Sequence, residues 1–330
     1  MGGNQDSAIL SDSGIWGGNR MRKMRHAVAA LAVMGTLLAG VPFFDAPAVG
    51  TMRAEAAKDQ WVWITSDQKY GKFFAPSNVQ VKSKANGVPT CISAWIKTAY
   101  TPGGAQEAIE NYGIQASIPD PRTLSYSLAL VELIPQERKV SYIQENFYNA
   151  DGKVIWSKVY EPPKEYEINH QSFEEDYYVA LVDQVFHHGE RAQKDAADRW
   201  RRLWTSESAG GAVTEAMADF STMRLSGNNL IYWEWQETKS KDGELMDVKF
   251  MKKALNHEQG TEKIVSAKHW TSAAGWKKLE TDGRYETIPK EDKAYPGLER
   301  LRAIVKGYQY WLNRYRTDLP QTENGKKSGK

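Results

Sequence analysis

The chain has 330 residues, with 43 Lys and Arg against 41 Asp and Glu, and 41% of it is hydrophobic. A net charge of +2 argues against a nucleic-acid binder, which usually shows a basic stripe or patch, so no nucleic-acid partner is expected. A single cysteine, Cys91, excludes an internal disulfide, so the apolar core must hold the fold unaided.

The N-terminus reads as an export leader. Residues 1–20 are polar and Gly-rich and read as an over-extended start ahead of Met21 and Met24. Arg20, Arg22, Lys23 and Arg25 then form a basic n-region, and an apolar run from Ala27 to Phe44 is broken by Gly35, Gly40 and Pro42. Ala54-Glu55-Ala56 supplies an A-x-A site, placing cleavage between Ala56 and Ala57. Ala46-Pro47-Ala48 is the alternative site, and an uncleaved anchor the competing reading. A spanning helix needs roughly 20 apolar residues, and no later segment offers them, so no integral membrane segment is expected after cleavage.

Downstream, strand signals dominate. Trp61-Val62-Trp63-Ile64-Thr65 opens the first unit, with Trp61 and Trp63 on one face. Val79 to Lys82 alternates, Asn86-Gly87 marks a hairpin, and Thr90 to Thr98 returns from it. Cys91 in that strand reads as a buried small hydrophobe. Leu124–Leu133, Val140–Tyr148 and Lys153–Tyr160 continue an antiparallel meander, with Asp151-Gly152 as a turn. Pro162-Pro163 is expected to end the sheet. Ser172-Phe173-Glu174-Glu175 then matches a capping box, opening a helix striped by Phe173, Tyr177, Ala180, Leu181 and Val185. Glu190 to Leu203 is charged and helix-compatible, and reads as a linker helix.

The second unit repeats this plan. Ile64-Thr65-Ser66-Asp67 aligns with Trp204-Thr205-Ser206-Glu207, 140 positions on, and Trp95-Ile96-Lys97-Thr98 aligns with Trp235-Gln236-Glu237-Thr238. Strands are expected at Leu230–Thr238, Leu245–Ala254, Lys263–Trp270 and from Trp276 to Leu279. Pro296 is placed like an N1 proline. Leu298, Leu301, Val305, Tyr308, Leu312 and Tyr315 follow as the clearest amphipathic stripe, opposite Arg300, Arg302, Lys306 and Arg314. Unit one carries about twenty extra residues, mostly between Ala99 and Thr123, with a short helix from Ala105 to Tyr112.

Residues 61–186 resemble a domain of the surface-adhesin protein E family. The resemblance rests on Trp61-Val62-Trp63-Ile64, on Ala94-Trp95-Ile96-Lys97-Thr98, on Phe147-Tyr148-Asn149-Ala150-Asp151-Gly152-Lys153-Val154-Ile155, and on the helix from Ser172 to Phe186. A divergent second copy covers about 200–308, reached through the internal repeat. The resemblance implies a small antiparallel sheet with a C-terminal helix across one face. It also implies an exported protein whose relatives bind host matrix or plasma proteins. The disulfide that tethers helix to sheet in some members has no counterpart here, because Cys91 stands alone.

Catalytic signals are absent from the sequence: no G-x-S-x-G, H-E-x-x-H, Walker loop or G-x-G-x-x-G occurs. His187 and His188 are adjacent and would point about 100° apart on a helix, so they cannot share an ion. Neither metal nor cofactor is implied. Twelve tryptophans and sixteen tyrosines are either core or binding surface, and the strand tryptophans Trp61, Trp63, Trp95 and Trp235 are expected to pack mostly between sheet and helix. Candidate contact residues are Tyr100, Gln106, Glu110, Tyr112 and Arg122 in the insertion, because long loops on regular scaffolds often carry function. Tyr310, Trp311 and Arg314 are the second group, as an exposed aromatic–basic patch, with packing against the linker helix as the alternative.

The expected architecture is α+β: two tandem small antiparallel β-sheet domains, each with a C-terminal helix packed on one face. The expected map is a leader over 1–56, a first domain over 57–189, a linker helix over 190–204, a second domain over 205–318, and a disordered basic tail over 319–330. The expected function is non-catalytic binding of an extracellular or envelope protein, possible adhesion included, at the cell surface, in the medium or in the periplasm. The alternatives are a periplasmic enzyme or envelope-maintenance factor using the cleft between the domains, and a structural subunit of an envelope complex.

Overall fold

Alternation drives the strands. From Val88 to Tyr100 the even positions Ile92, Ala94, Ile96 and Thr98 are buried while Trp95 and Lys97 are only partly covered, so one face of this strand meets a core. The computed structural model describes residues 60–319, so the leader, its cleavage site at Ala56 and Ala57, and residues 320–330 of the tail lie outside the described residues. The chain forms β1 (Val62–Ser66), β2 (Tyr70–Phe74), β3 (Gln80–Ala85), β4 (Val88–Tyr100), α1 (Pro102–Tyr112), β5 (Tyr126–Ile134), β6 (Lys139–Tyr148), β7 (Val154–Glu167), α2 (Glu175–Phe186) and α3 (Glu190–Asp195). It continues with β8 (Trp200–Glu207), β9 (Val213–Asp219), β10 (Arg224–Ser226), β11 (Asn229–Lys239), β12 (Leu245–Asn256), β13 (Thr261–Thr271), β14 (Gly275–Leu279), β15 (Glu286–Thr287), α4 (Tyr295–Gly307) and α5 (Gln309–Leu312).

The strands form two antiparallel sheets of the same topology. Sheet 1 has seven strands ordered β1-β2-β4-β5-β6-β7, with β3 also on β4. Sheet 2 has eight, ordered β8-β9-β11-β12-β13-β14, with β10 on β11 and β15 on β13. Strand for strand, β1 to β7 correspond to β8 to β14, and α2 corresponds to α4. Gly87 and Gly227, 140 positions apart, both take positive φ at the equivalent hairpin turn, at 82° and 57°.

Each sheet buries one face under its helix. Ile92, Ala94, Ile96, Ala129 and Val131 meet Tyr178, Leu181 and Val182 of α2 in the first core. Leu203, Trp204, Leu230, Tyr232 and Leu255 meet Leu298, Leu301 and Val305 of α4 in the second. The insertion helix α1 packs beside α2 on the same face, through Ala105, Ala108 and Ile109 against Leu124 and Phe147.

Several local expectations change. The sheet does not end at Pro162-Pro163: β7 runs to Glu167, with a register shift that skips from Val159 to Lys164 opposite β6. As an edge strand, β7 tolerates prolines that cannot donate to a ladder. The capping box does not form. Ser172 Oγ accepts from the Asn169 amide and donates to the Glu167 carbonyl, and α2 starts only at Glu175. The linker helix stops at Asp195 and β8 begins at Trp200, because Leu203 and Trp204 must reach the second core.

The last helix is also interrupted. α4 ends at Gly307, Tyr308 leaves helical geometry, and α5 starts at Gln309. The break lets Trp311 and Leu312 enter the second core while Tyr315 enters the first. The C-terminal segment therefore joins both cores. Around it lies a buried ion network. Arg199 pairs with Glu175 at 2.7 Å and with Asp219 at 2.6 Å, Arg138 lies 3.3 Å from Glu175, and Arg314 and Tyr315 both donate to Glu190.

Candidate functional site

The tryptophans of β4 and β11 do not lie under the helices. Ala94 and Ile96 hold the helix side, so period-2 alternation sends Trp95 to the outer face, and the same parity applies to Trp235. Trp204, not among the expected core tryptophans, takes the place between sheet and helix. The two outer faces are equivalent by topology, but they meet different surroundings.

On sheet 2 the face is covered. After β7, the chain places His170 edge-on against Trp200 at 4.8 Å, Phe250 at 4.7 Å and Trp235 at 5.4 Å. Trp233 stacks on Phe250 beneath, and both are buried. Burial pushes the His170 imidazole down to about 4, so it sits there neutral; Asp219 opposes that shift and Arg199 adds to it.

On sheet 1 the equivalent face is more open among the described residues, although Leu128 on it is buried. Cross-strand registry sets Trp63, Phe73, Lys97 and Leu128 in one row, with Trp95, Leu130 and Val159 in the next and Tyr126, Tyr148 and Val154 on the other side. Trp63 is 55% exposed and Val159 58%. Tyr126 and Tyr148 stack at 4.8 Å and 7°. Lys97 is at the centre, its ammonium 4.4 Å from the Tyr126 ring centroid, 5.8 Å from Trp61 and 6.0 Å from Phe73. Burial lowers the Lys97 pKa, and among the described residues no carboxylate pairs with it to offset the shift. The result is a shallow aromatic platform around a half-buried cation held by ring quadrupoles.

The insertion residues have other roles. Tyr100 shares a 2.7 Å hydrogen bond with Ser127, and Tyr112 donates at 2.6 Å to the buried Glu145 while packing on Phe147 and Trp156. Both are therefore structural on the α1 side, away from the open face. Gln106 and Glu110 are exposed and bond each other one turn apart, and Arg122 is exposed and paired with Asp120 at 3.0 Å.

The expected C-terminal patch is dismantled. Only Tyr310 is exposed, its hydroxyl 3.1 Å from His188 Nδ1. Trp311 and Arg314 are buried: the indole donates to the Phe220 carbonyl at 3.2 Å, and the guanidinium holds Glu190 and the carbonyls of Met223, Trp311 and Ser221. The helix break at Tyr308 turns this segment inward, which a straight helix would not do. Lys97 and the outer-face rings are absent from the sequence-level candidates, although Trp95 and Lys97 alternate with Ala94 and Ile96. The alternation shows that they share a face; only packing shows that this face is open.

Cys91 is partly rather than fully buried, and burial, followed by Glu132, raises its thiol pKa. Among the described residues no group of three His, Cys, Asp or Glu is arranged to hold a metal ion, and no helix is long and apolar enough to cross a membrane. Comparison with protein-family models, curated proteins and solved structures finds no match to this chain.

Proposed function

We propose that this is an exported, non-catalytic binding protein of the bacterial envelope or cell surface, which docks an extracellular or envelope protein on the outer face of sheet 1. The observation that carries the reading is the contrast between two equivalent faces. In sheet 2 a chain segment covers Trp235 by seating a ring edge-on. In sheet 1, among the described residues, no ring seats edge-on on Trp95, Trp63 is 55% exposed, and Lys97 forms no ion pair, while Trp95 and Phe73 are partly covered by their neighbours on the sheet. The fitting partner segment presents an aromatic ring beside an acidic residue. Uncovered aromatic surface of this kind marks interaction sites more often than solvated surface. The resemblance to the adhesin family supports the same class of function.

Two measurements test this. Protease shaving of intact cells should release peptides from residues 60–319 without a periplasmic marker; release only after the outer envelope is opened would end the adhesive version. A photo-crosslinker at Trp63 should capture a protein partner, and Lys97→Glu should weaken the purified pair at least tenfold, about 1.4 kcal/mol. Unchanged affinity would remove this face as the site.

A catalytic reading draws on one feature. Burial raises the pKa of Glu145 and Glu174, and tyrosine hydroxyls meet both: Tyr112 and Tyr160 on Glu145, Tyr142 on Glu174. Perturbed carboxylates of this sort also occur at acid–base sites. The hydroxyl bonds satisfy these acceptors internally, which favours a structural role.

A further inference from the structure

Sheet 2 carries a second feature on its outer face, beyond the aromatic part that His170 covers. Registry aligns Arg224, Ile231, Ala254 and Lys263 in one cross-strand row, and Lys252 lies in the next row beside Trp233. The β5–β6 turn of the first half overhangs this row through Gln136, Glu137 and Lys139. Between them lies an open cleft of about 470 Å³. A single water needs only about 10–15 Å³ on this measure, so the space suits a small organic molecule rather than a lone ion.

The charge of the cleft is unbalanced. Lys139, Arg224, Lys252 and Lys263 line it against one carboxylate, Glu137. Glu137 is engaged by Lys139 at 2.7 Å, and Lys252 is met by Glu167 just outside the lining. Among the described residues the other two cations form no ion pair, although Glu167 acts on Arg224 from a distance. Lys263 lies 4.9 Å over the Tyr285 ring. Arg224 is 97% removed from solvent (3% exposed) and is held only by carbonyl oxygens of Gln136, Glu137 and Thr222. Burial first, then the nearby Arg138 and Arg314, push its pKa down to about 10, with Tyr178 and Glu167 opposing. Each guanidinium nitrogen thus has one carbonyl partner, and the second hydrogens of Nη1 and Nη2 remain as donors of the kind that match an oxyanion.

We infer that the cleft between the β5–β6 turn and the outer face of sheet 2 binds a small molecule bearing a dianionic oxyanion of phosphate type, with Arg224 and Lys263 as its charge partners. The surplus of cations in the lining sets the charge. The Tyr285 ring at the rim, its hydroxyl 3.0 Å from Asn229 Oδ1, gives the organic part a flat surface. This site is independent of the sheet 1 face, so either assignment stands without the other.

The test is calorimetric titration of the full chain with phenyl phosphate and with inorganic phosphate at low salt, beside benzyl alcohol as an uncharged control. Saturable binding of both phosphates, tighter for phenyl phosphate, with none for benzyl alcohol, is the expected result. Lys263→Gln should weaken binding five- to tenfold, while Lys290→Gln, outside the cleft, should leave it unchanged. Arg224→Lys reports on the buried fork if the variant keeps its near-ultraviolet circular dichroism. Absence of saturable binding at about 10 mM of either phosphate, roughly ten times a Kd of about 1 mM, or equal loss in the Lys263 and Lys290 variants, would overturn the assignment.

Discussion

At the residue scale, His170 shows how one side chain links the two halves. It belongs to the first half in sequence and to the second in packing, where three aromatic edges surround it. Its folded pKa of about 4 lies below the ordinary histidine value of 6.5. The unfolded chain therefore binds more protons between those values, and stability falls as pH drops from about 6.5 through 4, with no contribution above. Allowing for partial solvent contact, the loss is on the order of 2–3 kcal/mol. Urea midpoints of wild type and His170→Phe should converge or cross on acidification, because phenylalanine cannot titrate; parallel curves from pH 7 to 4.5 (about the span of the shift) would show that the imidazole is not the group responsible.

At the element scale, α4 lies close on β8. A Cβ added at Gly297 would sit 2.9 Å from Trp204 Cδ1 and 3.2 Å from Leu203 Cβ, so the helix must lift or the indole must turn. Gly297→Ala should destabilise by about 1–3 kcal/mol despite alanine's better helix propensity. Gly307→Ala, where an added Cβ meets nothing within 4 Å, is the matched control on the same helix. A thermal melt in which both variants gain stability would refute close packing at Gly297.

At the scale of the whole molecule, stability depends on the segment after the helix break. Trp311 and Leu312 fill one core, Tyr315 the other, and Arg314 neutralises Glu190 between them. Arg314→Met leaves a buried carboxylate short of its partner and should cost about 3–5 kcal/mol. Truncation after Tyr308 removes all four contacts and should abolish cooperative unfolding in both halves together. Retention of a cooperative first half, seen by urea denaturation, would show that the halves are energetically separate.

Much of this molecule is legible from local chemistry alone. Period-2 alternation, Asn86-Gly87 and the shared offset of Trp95 with Trp235 are enough to predict two antiparallel sheets with helices at their ends, since strand faces and hairpin turns are set within a few residues of chain. Tertiary packing decided what each face meets. Alternation cannot distinguish the open platform around Lys97 from the covered face around Trp235, because the difference is a loop that comes from the other half of the chain. Nor can an amphipathic stripe foresee the break at Tyr308, which turns Trp311 and Arg314 from an expected surface patch into the joint between two cores. Arg224 and Lys263 likewise meet the β5–β6 turn only once the halves have packed. Long-range contacts of this kind depend on how finished elements assemble, and so appear only in the folded structure.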